Sequence, residues 1–219
     1  MNTKTLGSLF TLGLSAFAWA VAPVEISLGQ SLLVDDFADK DMASSLGPWS
    51  VYPDASGKTT VQHSFVSNAG VNGTTNAIRV DYSLDGSDDL GYNPFIEIKV
   101  YMATDSLARD MSNCNEMQYE YRGNNTHYFK AIGSINVEDN YHRKEFDASD
   151  SWKSVTLHWT DLVQGELEYW GREANVNDVK KNLIGFVWQV QDYDGTEGFL
   201  GCSGHCQGLC LGAMIIDIH

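Results

Sequence analysis

From residue 31 onward the chain repeatedly alternates apolar and polar residues in short runs. Residues 77–82 and 95–102 show the pattern most cleanly, and residues 32–37, 60–66, 117–121, 128–132, 153–159, 184–190 and 213–218 repeat it. A period of two puts successive side chains on opposite faces of a strand, so each run has one face to bury and one to expose. Gly, Asp, Asn and Ser punctuate the runs, as turns require. Helical spacing is confined to residues 161–163, with Asp161 as N-cap, and residues 176–182, with Asn175 as N-cap. Roughly ten strands without helical crossovers between them predict an all-β, antiparallel β-sandwich of jelly-roll type.

The 219 residues suffice for one domain with its own core. A hydrophobic fraction of 43% is too high for a disordered chain. Against 29 Asp and Glu stand 14 Lys and Arg, a net charge of −15. Such a surface repels phosphate, which excludes nucleic acids and anionic membranes as partners. The 6 Trp, 10 Tyr and 9 Phe must be divided between the sandwich core and a binding face.

Residues 1–20 carry one charge, Lys4, then an apolar run from Leu6 to Ala18 and small residues at Ala18 and Ala20. This is the pattern of a secretory signal cleaved after Ala20, and the run is short for a spanning helix, so no membrane insertion is expected. The expectation is an exported protein, extracellular or periplasmic, with residues 21–219 forming a single β domain. In an oxidising compartment Cys114, Cys202, Cys206 and Cys210 read as two disulfides, with three pairings open. The C-x3-C-x3-C spacing of the last three is not the C-x2-C knuckle of zinc sites. Residues 198–212, which include Gly201, Gly204, Gly208 and Gly212, read as a cross-linked loop before the closing strand.

The sequence holds no nucleophile elbow, zinc-protease helix, P-loop or Rossmann fingerprint. Small β-sandwich glycanases carry two catalytic carboxylates, in one class on alternate residues of a strand. The nearest run places Lys99 two residues after Glu97, where the second acid should be, and the Glu166 and Glu168 pair lies in a glycine-flanked loop. A small endo-glycanase using paired carboxylates is therefore the runner-up. Binding is favoured by mixtures of rings with amides and acids. A sugar presents C–H faces that stack on Tyr or Trp and hydroxyls that pair with Asp, Glu, Asn, Gln or Arg. Such mixtures occur at Trp49 to Tyr52, Tyr92 and Asn93, residues 138–143, residues 166–170 and Trp188 to Gln191. On the strand 184–190, Phe186, Trp188 and Val190 share one face while Val187 and Gln189 share the other.

The order and spacing of several motifs resemble the family 11 carbohydrate-binding modules, a galactose-binding-like β-jelly roll. Leu33-Val34-Asp35-Asp36-Phe37 followed by Trp49 and Tyr52 is similar to the family's opening. Ser149 to Leu157 with Leu167-Glu168-Tyr169 is similar to its middle, and Asn182 to Trp188 with Ile215 to Ile218 to its end. The resemblance implies a concave, aromatic-lined cleft that binds β-1,4 and mixed β-1,3-1,4 glucan chains without catalysis. It implies sugar contacts from Tyr52, Tyr92, Asp139, Tyr141 or His142, Glu168, Tyr169 and Trp188; the mixture at Trp188 to Gln191 adds Gln189. It also implies a structural calcium, for which Asp35, Asp36 and Asp217 are the candidate ligands. The partners expected on this reading are plant cell-wall-type β-glucans, and secreted glycoside hydrolases or a surface complex beside which such a module acts. A structural or assembly module of the same fold is the remaining alternative.

Overall fold

The computed structural model describes residues 30–71, 75–84, 92–102, 108–136, 140–165, 173–191 and 207–218. Eleven strands, all paired antiparallel, occur among them: β1 (Gln30–Asp35), β2 (Trp49–Pro53), β3 (Thr60–Ala69), β4 (Thr75–Ser83), β5 (Phe95–Tyr101), β6 (Cys114–Gly123), β7 (His127–Gly133), β8 (His142–Phe146), β9 (Ser149–His158), β10 (Leu183–Gln191) and β11 (Gln207–Ile218). They form two sheets. The first has the order β3-β4-β11-β6-β9, with β1 also paired to β11; the second is β2-β5-β10-β7-β8. The alternating runs of the sequence are strands of one sheet or the other. The strands β2 and β8, with only five residues each, were too short for periodicity to show them.

The core lies between the sheets. β5 alternates in burial along its whole length, with Ile96, Ile98 and Val100 fully inside. Ile78, Val80 and Tyr82 of β4 and Met117 and Tyr119 of β6 meet them from the first sheet. Rings fill the centre. Tyr119 stacks on Phe129 at 5.7 Å between centroids, and Trp188 packs edge-on against Tyr119 at 5.6 Å and Phe129 at 5.2 Å. Trp49 adjoins Trp188 at 5.6 Å, and Phe37 adjoins Trp49 at 5.3 Å. Most of the described rings are therefore core. Gly185 is fixed by close packing, since a Cβ there would collide with the Val100 carbonyl of β5.

The short helix α1 (Val176–Lys181) is where its spacing placed it. Asn175 caps it by accepting a hydrogen bond from the Asn177 N–H at 2.9 Å. Asn175→Ala should cost about 1 kcal/mol, read as a shift in the urea midpoint at unchanged slope. The turn expected at 161–163 forms two residues earlier, as a 3-10 turn over Trp159–Asp161. Asp161 ends it, and its Oδ2 accepts from the His158 N–H at 3.1 Å. The loop expected over 198–212 is also corrected. From Gln207 the backbone already runs in β11, because ladders with β4 and β6 hold both of its edges there. Glycines argue against helix, but flanking strands can still carry them.

Register separates Cys210, opposite Arg122, from Cys114, opposite Ile218. Cys202, Cys206 and the signal segment lie outside the described residues. No helix among those residues is long and apolar enough to cross a membrane.

Candidate functional site

The second sheet turns one face to the core and the other away from it. Pairing across its five strands aligns outward residues in rows. One row reads Tyr52, Glu97, Gln189, Tyr128, Glu145; the next reads Ser50, Lys99, Val187, Lys130, Arg143. Tyr52 stands at the β2 edge and is 48% exposed, whereas Gln189 at the centre is 4% exposed. Phe95 continues the outward side of β5, and the exposed Tyr92 ring lies 6.4 Å from it. Tyr141, just before β8, has the Lys130 ammonium 5.9 Å from its ring centre.

Charges on this face are tied to rings and to each other. Lys99 forms an ion pair with Glu97 and lies 5.5 Å from the Tyr52 ring centre. Burial alone would depress the Lys99 ammonium, but the Glu97 carboxylate holds its pKa above the ordinary value. Arg143 lies 5.0 Å from the Tyr128 ring centre, and the Tyr128 hydroxyl donates to Glu145 Oε2 at 2.7 Å. Gln189 Nε2 donates to Glu97 Oε1 at 3.3 Å. The surface thus offers ring faces flanked by fixed hydrogen-bonding groups, which is what a pyranose chain requires. Its acids Glu97 and Glu145 stand three strands apart, about 14 Å at the usual strand spacing. The acids of the glycanase reading, Glu166 and Glu168, lie outside the described residues.

Several expected site residues are elsewhere. Trp188 is 1% exposed and belongs to the core, because its neighbour Gln189 takes the outward side of β10. His142 also points inward; it is the cross-strand partner of Ala131, and burial pushes its pKa down. Tyr52, Tyr92, Tyr141 and Gln189 are on or beside the face. Asp139, Glu168 and Tyr169 lie outside the described residues. Sequence reasoning did not name Tyr128, Lys130 and Glu145 for this face, placed Arg143 only within the mixture at 138–143, and weighed Glu97 only as a catalytic acid whose partner position is taken by Lys99. The alternation of residues 128–132 marked Tyr128 and Lys130 as sharing a side, but not which side.

Two of the three acids proposed for calcium, Asp35 and Asp36, accept hydrogen bonds from their own chain. Asp35 Oδ1 accepts from the Phe37 N–H at 2.7 Å and Oδ2 from the Trp49 indole N–H at 2.7 Å. Burial raises its pKa. Asp36 accepts from the Ala38 N–H at 3.0 Å. Asp217 is opposite Ser31, four residues back along β1 from Asp35, or about 13 Å. Among the described residues no three His, Cys, Asp or Glu side chains group as metal ligands would.

No family model matches the sequence. The chain is 32% identical over 181 residues to Endoglucanase 3 of Fibrobacter succinogenes, a match covering 78% of this chain and 26% of the relative. The chain thus spans about a quarter of that relative's length. Among solved structures it resembles the family 11 carbohydrate-binding module of the cellulosomal cellulase Lic26A-Cel5E of Clostridium thermocellum. The TM-score is 0.58 at 15% identity, over 88% of this chain and 97% of that one. A family 11 module from Clostridium thermocellum in complex with a β-1,3-1,4-mixed-linked tetrasaccharide superimposes with a TM-score of 0.56 at 14% identity, over 88% and 97% of the two chains. Two antiparallel sheets, the order of their strands and this likeness agree: the chain has the fold of the family 11 carbohydrate-binding modules, a β-sandwich jelly roll.

Proposed function

We propose that this chain is an exported, non-catalytic carbohydrate-binding protein that holds β-1,4 and mixed β-1,3-1,4 glucan chains on the outer face of the second sheet. The observation that carries the reading is the row Tyr52, Glu97, Gln189, Tyr128, Glu145. Tyr52 exposes its ring at the β2 edge, the largely buried Tyr128 stands about 14 Å away, and an acid and an amide lie between them, so stacking and hydroxyl pairing share one line. The mixed-linkage tetrasaccharide bound by a structural neighbour supports the ligand class. The match to a quarter of an endoglucanase supports a role beside secreted glycoside hydrolases.

Affinity electrophoresis through barley β-glucan, hydroxyethylcellulose and xylan tests this reading. Retardation on β-glucan is expected, and migration unchanged by all three polymers would overturn it. Tyr52→Ala should weaken binding about tenfold or more, the equivalent of one lost stacking contact near 1.4 kcal/mol, without changing thermal stability. Release of reducing ends from these polymers would instead favour the glycanase reading.

A further inference from the structure

Among the described residues, Gln189 is the one side chain on this face that is both almost wholly buried and half-satisfied. Its Nε2 donates to Glu97, while its Oε1 has no hydrogen-bond partner among the described protein groups. A buried acceptor left bare costs free energy, so such atoms ordinarily meet a water or a ligand. Rotating the amide by half a turn does not cure the deficit. It would set Oε1 against the Glu97 carboxylate, which only accepts. Glu97 therefore holds the nitrogen end of the amide and leaves Oε1 as its bare end, and Lys99 fixes Glu97 through their ion pair. Among the described residues its nearest same-side neighbours make no bond to Oε1: Val187, two residues away on β10, is apolar, and the Tyr128 hydroxyl donates to Glu145.

Resting on the glycan reading above, we infer that Gln189 determines specificity by accepting a hydrogen bond from one free sugar hydroxyl at the centre of the face, and that Glu97 is the positioning residue that holds the amide for it. The acceptor selects a ligand group carrying a proton. An unsubstituted glucan unit qualifies. A unit whose hydroxyl is missing or alkylated at that position does not, and neither does a ring oxygen or an acetamido carbonyl.

The test is calorimetric titration of the full chain with cellotetraose and with its monodeoxy analogues. Gln189→Leu keeps the approximate size and removes the acceptor. The expected result is about a tenfold loss of cellotetraose affinity with thermal stability equal to or above that of the unaltered protein. One deoxy analogue should bind the unaltered chain about tenfold more weakly than cellotetraose, yet bind Gln189→Leu as well as cellotetraose does. Glu97→Gln, which frees the amide to turn, should shrink that discrimination. A purely structural role for Gln189 would lower stability and leave the deoxy series flat. If the unaltered chain binds cellotetraose and Gln189→Leu binds it equally, the inference is wrong and the glycan reading stands. If the unaltered chain binds none of the oligosaccharides, both fall.

Discussion

Replacing Trp188 by Ala should destabilise the protein by about 3–5 kcal/mol, the usual cost of emptying a large ring from a packed core. Trp188 is the largest fully buried side chain among the described residues, and it joins the two sheets. Trp49 of β2 and Phe129 of β7 touch it from its own sheet, and Tyr119 of β6 meets it from the other. Removing it opens a cavity among rings that cannot collapse onto one another without moving both sheets. For a domain of this size each kcal/mol corresponds to about 2–4 °C in Tm, so a fall of at least about 6 °C is expected. Glucan affinity, measured at a temperature where the variant is folded, should change far less than in Tyr52→Ala. The opposite pattern, an unshifted Tm with lost affinity, would return Trp188 to the cleft and undo the assignment of faces on β10.

Acid should weaken the fold through His127, by about 3 kcal/mol. The imidazole is fully buried between rings, stacked on Phe146 at 5.4 Å and edge-on to Tyr121 at 4.5 Å. Its Nδ1 has no hydrogen-bond partner, and Nε2 lies 3.4 Å from the Tyr119 hydroxyl. Burial lowers its pKa from 6.5 to about 4, because no group nearby compensates the charged form. The unfolded chain takes up a proton near pH 6.5 that the folded chain refuses until about pH 4. The stability this neutral group contributes is therefore complete above pH 6.5, declines as pH falls through that interval, and is gone below about pH 4. A gap of this size at about 1.4 kcal/mol per decade gives the roughly 3 kcal/mol. Urea denaturation at several pH values, for the unaltered chain and for His127→Phe, isolates the effect. The difference between the two stability curves should change by about 3 kcal/mol between pH 7 and pH 4. Parallel curves would show that His127 does not titrate in this way.

Much of the architecture was legible in the sequence because strand periodicity is a local property. The runs at 77–82, 95–102 and 184–190 needed no distant information to be identified as strands, nor did the Asn175 cap of α1. β2 and β8 escaped because five residues hold barely two periods. β11 was cut short because Gly208 and Gly212 read as loop, and only the strands on either side of it supply the pairing that carries them. The binding residues fared unevenly for a different reason. Tyr52 and Gln189 stand on the face, but Trp188 carried the same aromatic signal and lies on the other side.

The sequence by itself determined that this chain is built of antiparallel strands, and that Trp188 and Gln189 face opposite ways, since alternation is dictated by backbone geometry. Which of the two meets the core was decided by the tertiary structure. The first sheet brings Tyr119 against the Trp188 side of β10, so burial of apolar surface assigns that side to the interior and leaves Gln189 to the outer face. The row of Tyr52, Glu97, Gln189, Tyr128 and Glu145 was likewise beyond local reading. Glu97 and Gln189 are 92 residues apart, and hydrogen-bond register between strands is what sets them side by side.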